Sequence, residues 1–231
     1  MKKIKSSFYI ALLFLSAFSA WTVLVRTVDV KPIGPQCSRV GLAALNAGVH
    51  ALTGVNMTLY TLTDWLGLVP IFTAFLFALL GLVQWVKGKD LSKVDKSILA
   101  LGGFYLAVIL SYLFFELVPI NYRPVLIEDR LEVSYPSSTT LLVTCVMPAA
   151  IIQLNRMIKK QFIRWSSTLV IFAFTAFMVV GRLASGVHWV TDIIGGVLLS
   201  AGLVFAYYHT VLRCCEKSNN DTVSAGQIRQ P

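Results

Sequence analysis

Charge is what this chain has least of. Of its 231 residues, 13% are charged, about half the share of a soluble domain. Hydrophobic residues make up 56%, and the mean hydropathy is +0.73. These values exclude an ordinary soluble protein and leave an integral membrane protein. Metal-binding or redox cysteine spacing is also missing. Cys37, Cys145, Cys214 and Cys215 are scattered, apart from the last two, which are adjacent and poorly placed to bridge each other. That argues against a disulfide framework or a cysteine-built metal centre. There is no internal repeat and no pair of interrupted midplane helices, which speaks against a transporter. The net charge of +9 would suit a nucleic-acid binder, but its distribution fits membrane topology better. No nucleic-acid partner is expected.

What is present is a series of apolar runs. A helical span needs roughly 20 mostly apolar residues. Six runs qualify, at about 8–25, 66–86, 98–115, 139–154, 166–180 and 190–212. The first is long for a signal peptide and is read as a retained span. Pro148 is expected to kink the fourth. Within 27–65, apolar residues recur at helical spacing from Val40 to Val49, as in an amphipathic helix at the membrane surface. Asn56-Met57-Thr58 fits a glycosylation sequon, a motif frequent by chance. Asp64 is expected to cap the second span. Residues 213–231 read as a polar, unordered tail. The expected parts are a cytoplasmic start with the first span (1–26), an outer segment (27–65), a five-span core (66–212) and a cytoplasmic tail (213–231).

Lysine and arginine sort across this layout. Fourteen fall on the side of the N-terminus and six on the other. By the positive-inside rule both termini are cytoplasmic. The fold expected is all-α, a six-span transmembrane bundle. It has a short interfacial helix between spans one and two and an extracytoplasmic active site.

That site is suggested by Gly181-Arg182-Leu183-Ala184-Ser185-Gly186-Val187-His188-Trp189-Val190-Thr191-Asp192. Ionisable residues beside a span are costly, so function is the default hypothesis. On a helix, residues four apart share a face. Asp192 would then hold the ring of His188 in one tautomer and leave the other nitrogen free. Arg182 keeps its charge and matches phosphate oxygens with a fork of donors. The bland alternative is a pair of helix-end charges with an incidental histidine. Two further stretches fall on the same outer side. Asn121-Tyr122-Arg123-Pro124 offers a second guanidinium. Tyr135-Pro136-Ser137-Ser138-Thr139-Thr140 opens the fourth span, where free N–H groups and the helix dipole favour an anion.

These motifs resemble the type 2 phosphatidic acid phosphatase and haloperoxidase superfamily, in its membrane lipid phosphatase branch. That family carries K-x6-R-P, P-S-G-H and S-R-x5-H-x3-D in order. This chain has Glu116-x6-Arg123-Pro124, Pro136-Ser137-Ser138-Thr139 and Gly181-Arg182-x5-His188-x3-Asp192. The resemblance implies a phosphatase acting on a lipid phosphate or prenyl diphosphate through a phosphohistidine at His188, oriented by Asp192. Arg123, Arg182, Ser137 and Ser138 would bind phosphate. Neither a metal nor another cofactor is implied.

Two departures from these motifs are serious. Glu116 stands where the family has lysine. Thr139 stands where it has the histidine that protonates the leaving group, a role worth about 10²–10⁴-fold. A diphosphate, whose leaving group needs little protonation, would tolerate that loss. Glu116 and His50 are other candidate donors. The alternative is a weakened lipid-phosphate binder or phosphotransferase.

Overall fold

The computed structural model describes the backbone of residues 2–227 and the side chains of residues 3–216. Eight α-helices follow one another: α1 (Lys2–Thr27), α2 (Ala43–Thr53), α3 (Met57–Leu66), α4 (Leu68–Gly88), α5 (Lys96–Leu117), α6 (Ser138–Met157), α7 (Gln161–Ala184) and α8 (Val190–Gln227). Six apolar helical stretches are long enough to cross a bilayer, one of them formed by α3 and α4 together. The expected six-span, all-helical membrane fold is therefore present, with α2 as the short helix between the first and second spans. Pro148 lies inside α6.

Three local expectations need correction. The second span begins nine residues earlier than its hydropathy core, with α3 as an added two and a half turns. Helix α3 is capped by Asn56, whose side chain accepts the Leu59 N–H at 2.9 Å. The chain breaks at Gly67 because Pro70 follows, and its ring clashes with the Leu66 carbonyl of a continuous helix. Asp64 therefore lies within α3 and caps nothing; α4 starts without a side-chain cap. Finally, α8 continues through Gln227, well beyond the Arg213 boundary of the expected unordered tail. The last four residues of that tail, 228–231, lie outside the described residues.

Helices α6 and α8 form the centre. Half of the apolar stretch of each is buried inside the protein, against 17% for α1, α7 and the α3–α4 span. In lipid there is no hydrophobic drive between helices, so close packing and small residues hold them together. Here Ala149 and Ala150 of α6 are buried. A side chain at Gly195 of α8 would strike the Tyr135 ring at 2.6 Å. The outer faces of α4, α5 and α7 expose leucine, phenylalanine and valine, as a lipid-facing surface should.

The α5–α6 connector is not irregular, as its sequence suggests, but folds as a hairpin. Tyr122 bridges Val133, and Ile127 bridges Arg130. Glu128 and Asp129 both take positive φ, 48° and 59°, the backbone of a two-residue turn matched to strand twist. Two extra residues on the first strand separate that turn's register from the pairing at the hairpin base. Arg123 N donates to Glu132 O, and Ser134 N donates to Asn121 O. Asn121 and Ser134 thus face each other over the start of α8.

Candidate active site

The start of α8 is the anchor. Trp189 precedes the helix, and its N–H donates to Asp192 Oδ2 at 3.0 Å. This is the reciprocal half of a capping box, in which the third helical residue reaches back to the cap. Asn46 of α2 secures the same turn. Its side-chain carbonyl accepts the Thr191 N–H, and its amide donates to Thr191 Oγ1 at 3.0 Å. His188 therefore stands just outside the helix, not on its face. The i, i+4 pairing survives in altered form: Nδ1 lies 3.9 Å from Asp192 Oδ2, too far for a good direct bond.

Ser134 fills the gap. Its Oγ lies 3.2 Å from His188 Nδ1 and bonds to Asp192 Oδ2. Asn121 Nδ2 donates to Asp192 Oδ1 at 3.3 Å. On the other side of the ring, Arg182 Nη2 lies 3.2 Å from Nε2. The donor count then fixes the tautomer. A guanidinium can only donate, so Nε2 accepts and the ring proton sits on Nδ1. That proton goes to Ser134 Oγ, whose own hydrogen goes to Asp192. Burial, then the charges of Arg123 and Arg182, hold the imidazole well below its usual pKa. His188 is a neutral base whose Nε2 lone pair accepts from the Arg182 guanidinium.

The two arginines share one platform. The Arg123 and Arg182 Cζ atoms lie 5.7 and 4.8 Å from the centroid of the Tyr60 ring. Their side chains are buried, and Arg123 Nε and Nη1 and Arg182 Nε have no hydrogen-bond partner among the described residues. Each is paired with a carboxylate at the rim. Glu132 Oε2 is 3.0 Å from Arg123 Nε, at an angle that makes no hydrogen bond, and Asp64 Oδ1 is 3.5 Å from Arg182 Nη1. Arg182 Nη1 also donates to Thr63 Oγ1 at 3.4 Å.

Tyr60, Thr63 and Asp64 all come from α3. That helix is held against α7, where a side chain at Gly181 would meet Thr63 Cγ2 at 2.8 Å. Its entry turn is pressed on the α7–α8 turn. Asn56 N donates to Ser185 O, and Gly186 sits at φ +65° where a Cβ would overlap the Gly54 carbonyl. Only glycine fits that conformation at that distance.

The remaining positions named from sequence are divided. Ser138 and Glu116 line a small cleft with Ser134 and His188. Ser137 is buried at the start of α6, where its hydroxyl faces the Thr140 N–H as a cap and its N–H donates to Asp192 O. Thr139 lines an adjoining groove of about 430 Å³ beside Asp64 and α4, which shares Tyr112, Ser138 and Leu141 with the His188 cleft. His50 packs against the Trp189 ring, 5.4 Å between centroids, rather than against His188. The structure thus gathers His188, Asp192, Arg123 and Arg182, with Ser138 and Glu116 at the edge.

A model of the PAP2 superfamily matches residues 100–215. The chain belongs to that superfamily. The matched segment carries the hairpin, α6 and the start of α8, whereas Tyr60, Thr63 and Asp64 lie ahead of it. Among solved structures, the fold resembles that of a transmembrane PAP2 type phosphatidylglycerolphosphate phosphatase from Bacillus subtilis. The TM-score is 0.62 at 16% identity, over 89% of this chain and 97% of that one. That likeness establishes a common multi-pass membrane fold. A search of curated proteins finds no match.

Proposed function

We propose that this PAP2 protein is a lipid phosphatase that works through a phosphohistidine at His188. One observation carries the reading. Neutral His188 turns Nε2 to Arg182 at 3.2 Å while its Nδ1–H is held through Ser134 to Asp192. A phosphoryl group entering between Arg123 and Arg182 would take up their unpaired N–H groups and meet Nε2. The lone pair of Nε2 forms the N–P bond as the bond from phosphorus to the leaving oxygen breaks. The imidazolium charge that develops is met by Ser134 and Asp192, and the phosphoryl charge by the guanidinium forks. Water then attacks phosphorus, the N–P bond breaks, and inorganic phosphate leaves.

Thr139 has no acid to give, although its groove adjoins the His188 cleft. The leaving group therefore departs with little help, which favours a diphosphate, whose leaving phosphate is already a stable anion. Glu116 stands on the cleft wall in the place of the family's lysine. The lysine and arginine bias supports a reading in which this end of the bundle lies outside the cytoplasm and both termini lie inside. The substrate would then be a phosphorylated lipid of the outer leaflet.

The test compares a prenyl diphosphate with phosphatidic acid and phosphatidylglycerophosphate as substrates of the purified protein. The diphosphate should turn over about 10²-fold faster or more, and Thr139→His should narrow the gap. Equal rates for all three lipids would remove the leaving-group argument. No turnover of any would remove the phosphatase reading.

A further inference from the structure

The far end of the bundle carries a second lipid-shaped feature that has no part in the chemistry at His188. Between α4 and α5 runs an apolar groove of about 390 Å³, from Phe77 to Trp85 on one side and from Ile98 to Tyr105 on the other. Its length along α4 is about 12 Å at 1.5 Å per residue. That is close to one leaflet of a hydrocarbon core roughly 30 Å thick. Gly102 and Gly103 line it, and a side chain added at either would meet nothing within 4 Å. The groove opens at Val94 into a polar cleft of about 540 Å³. Val94 lines both.

The cleft is cationic. Lys93, Lys96 and Arg156 line it, with Asp95 as its one carboxylate. The acids of this connector already have local tasks. Asp90 accepts from the Ser92 N–H, and Asp95 accepts from the Ser97 N–H as the cap of α5. No ion pair involves Lys93, Lys96 or Arg156 among the described residues. Arg156 donates to Cys215 Sγ and also feels the Asp95 carboxylate, so the cleft keeps an excess of positive charge, three cations to one carboxylate. Helices α4, α6 and α8 all begin at the His188 end, so this cleft lies at the opposite end of the bundle.

The geometry points to a binding site for one anionic glycerophospholipid, its tail in the α4–α5 groove and its phosphate between Lys93, Lys96 and Arg156. A groove alone would take any membrane lipid; the three cations at its mouth select for a negative headgroup. Basic pockets between helices hold phosphate headgroups in this way. The site is independent of turnover, so it stands or falls separately from the phosphatase reading.

The experiment measures lipid retention on the purified full-length protein by native mass spectrometry after equilibration with phosphatidylglycerol or phosphatidylcholine. Wild type should retain phosphatidylglycerol at least roughly 10-fold better. The combined Lys93→Gln, Lys96→Gln and Arg156→Gln protein should lose that preference, and the corresponding Lys→Arg protein should keep it. The Cβ of Gly102→Leu enters open space, and the added side chain should lower retention of both lipids. Inorganic phosphate alone should not displace the lipid. Undiminished preference in the triple variant would overturn the site. So would displacement by phosphate, or loss of preference in Arg123→Gln, which would put the lipid at the other end.

Discussion

The two ends of this bundle use buried polar groups in opposite ways. At the far end, Gln153 of α6 donates to Ser97 O at 3.0 Å and to Tyr207, and accepts from Ser97 Oγ at 3.2 Å. These three residues come from three helices and satisfy one another, which is how polar side chains join helices within a membrane. At the His188 end, Arg123 Nε and Nη1 and Arg182 Nε, all buried, have no hydrogen-bond partner among the described residues. Burying a charge without full pairing is costly. The protein bears that cost only where two arginines rest on one tyrosine ring beside an oriented imidazole. The difference separates a polar cluster that holds the fold from one arranged for an anion.

Several substitutions would break or sharpen that contrast. The largest effect is expected from Arg182→Gln, which removes the guanidinium facing Nε2. Loss of one such donor costs about 10²–10³-fold in kcat, read as turnover of the preferred lipid substrate, with the melting temperature nearly unchanged. Ser134→Ala comes next. The imidazole and Asp192 are too far apart to bond directly, so kcat should fall about 10- to 10²-fold, while KM stays close to wild type. At the far end the effect should move from rate to stability. Gln153→Ala strips partners from Ser97 and Tyr207 and should destabilise by about 1–3 kcal/mol, seen as a lower melting temperature with activity per folded molecule preserved.

The smallest effect concerns pH. His188 is held well below its usual pKa, so the unfolded chain binds a proton that the native site refuses. The stability linked to this residue is intact above about pH 6.5 and declines as pH falls below it. The melting-temperature difference between wild type and His188→Gln should therefore drift against wild type from pH 7 to pH 5. A constant difference would show that the imidazole is not held neutral.

Much of this organisation is legible in the sequence, and what is hidden has physical reasons. The spans follow from run length, because lipid demands an unbroken helix across its core. Arg182, His188 and Asp192 stand out because charge is rare beside such runs. Helix α3 does not stand out, since its apolar residues merge with those of α4 and only Pro70 hints at the break. Tyr60 is correspondingly invisible as a platform, because its role depends on how α3 leans on α7. Ser134 is hidden for another reason. Its place opposite Asn121 depends on the pairing at the hairpin base, which is offset by two residues from the Glu128–Asp129 turn and which no residue pattern announces. The spacing of His188 and Asp192 identifies the pair but suggests the wrong geometry, because Trp189 caps α8 and leaves the histidine outside it.

The central claim is that His188 Nε2 takes the phosphoryl group. It is tested most directly by rapid acid-free quenching of the protein with a substrate carrying a labelled terminal phosphate, followed by peptide mapping. The account predicts label on the peptide containing His188, stable in base, lost in acid, and absent from His188→Ala. Turnover by wild type with no labelled histidine, or full turnover by His188→Ala, would contradict it.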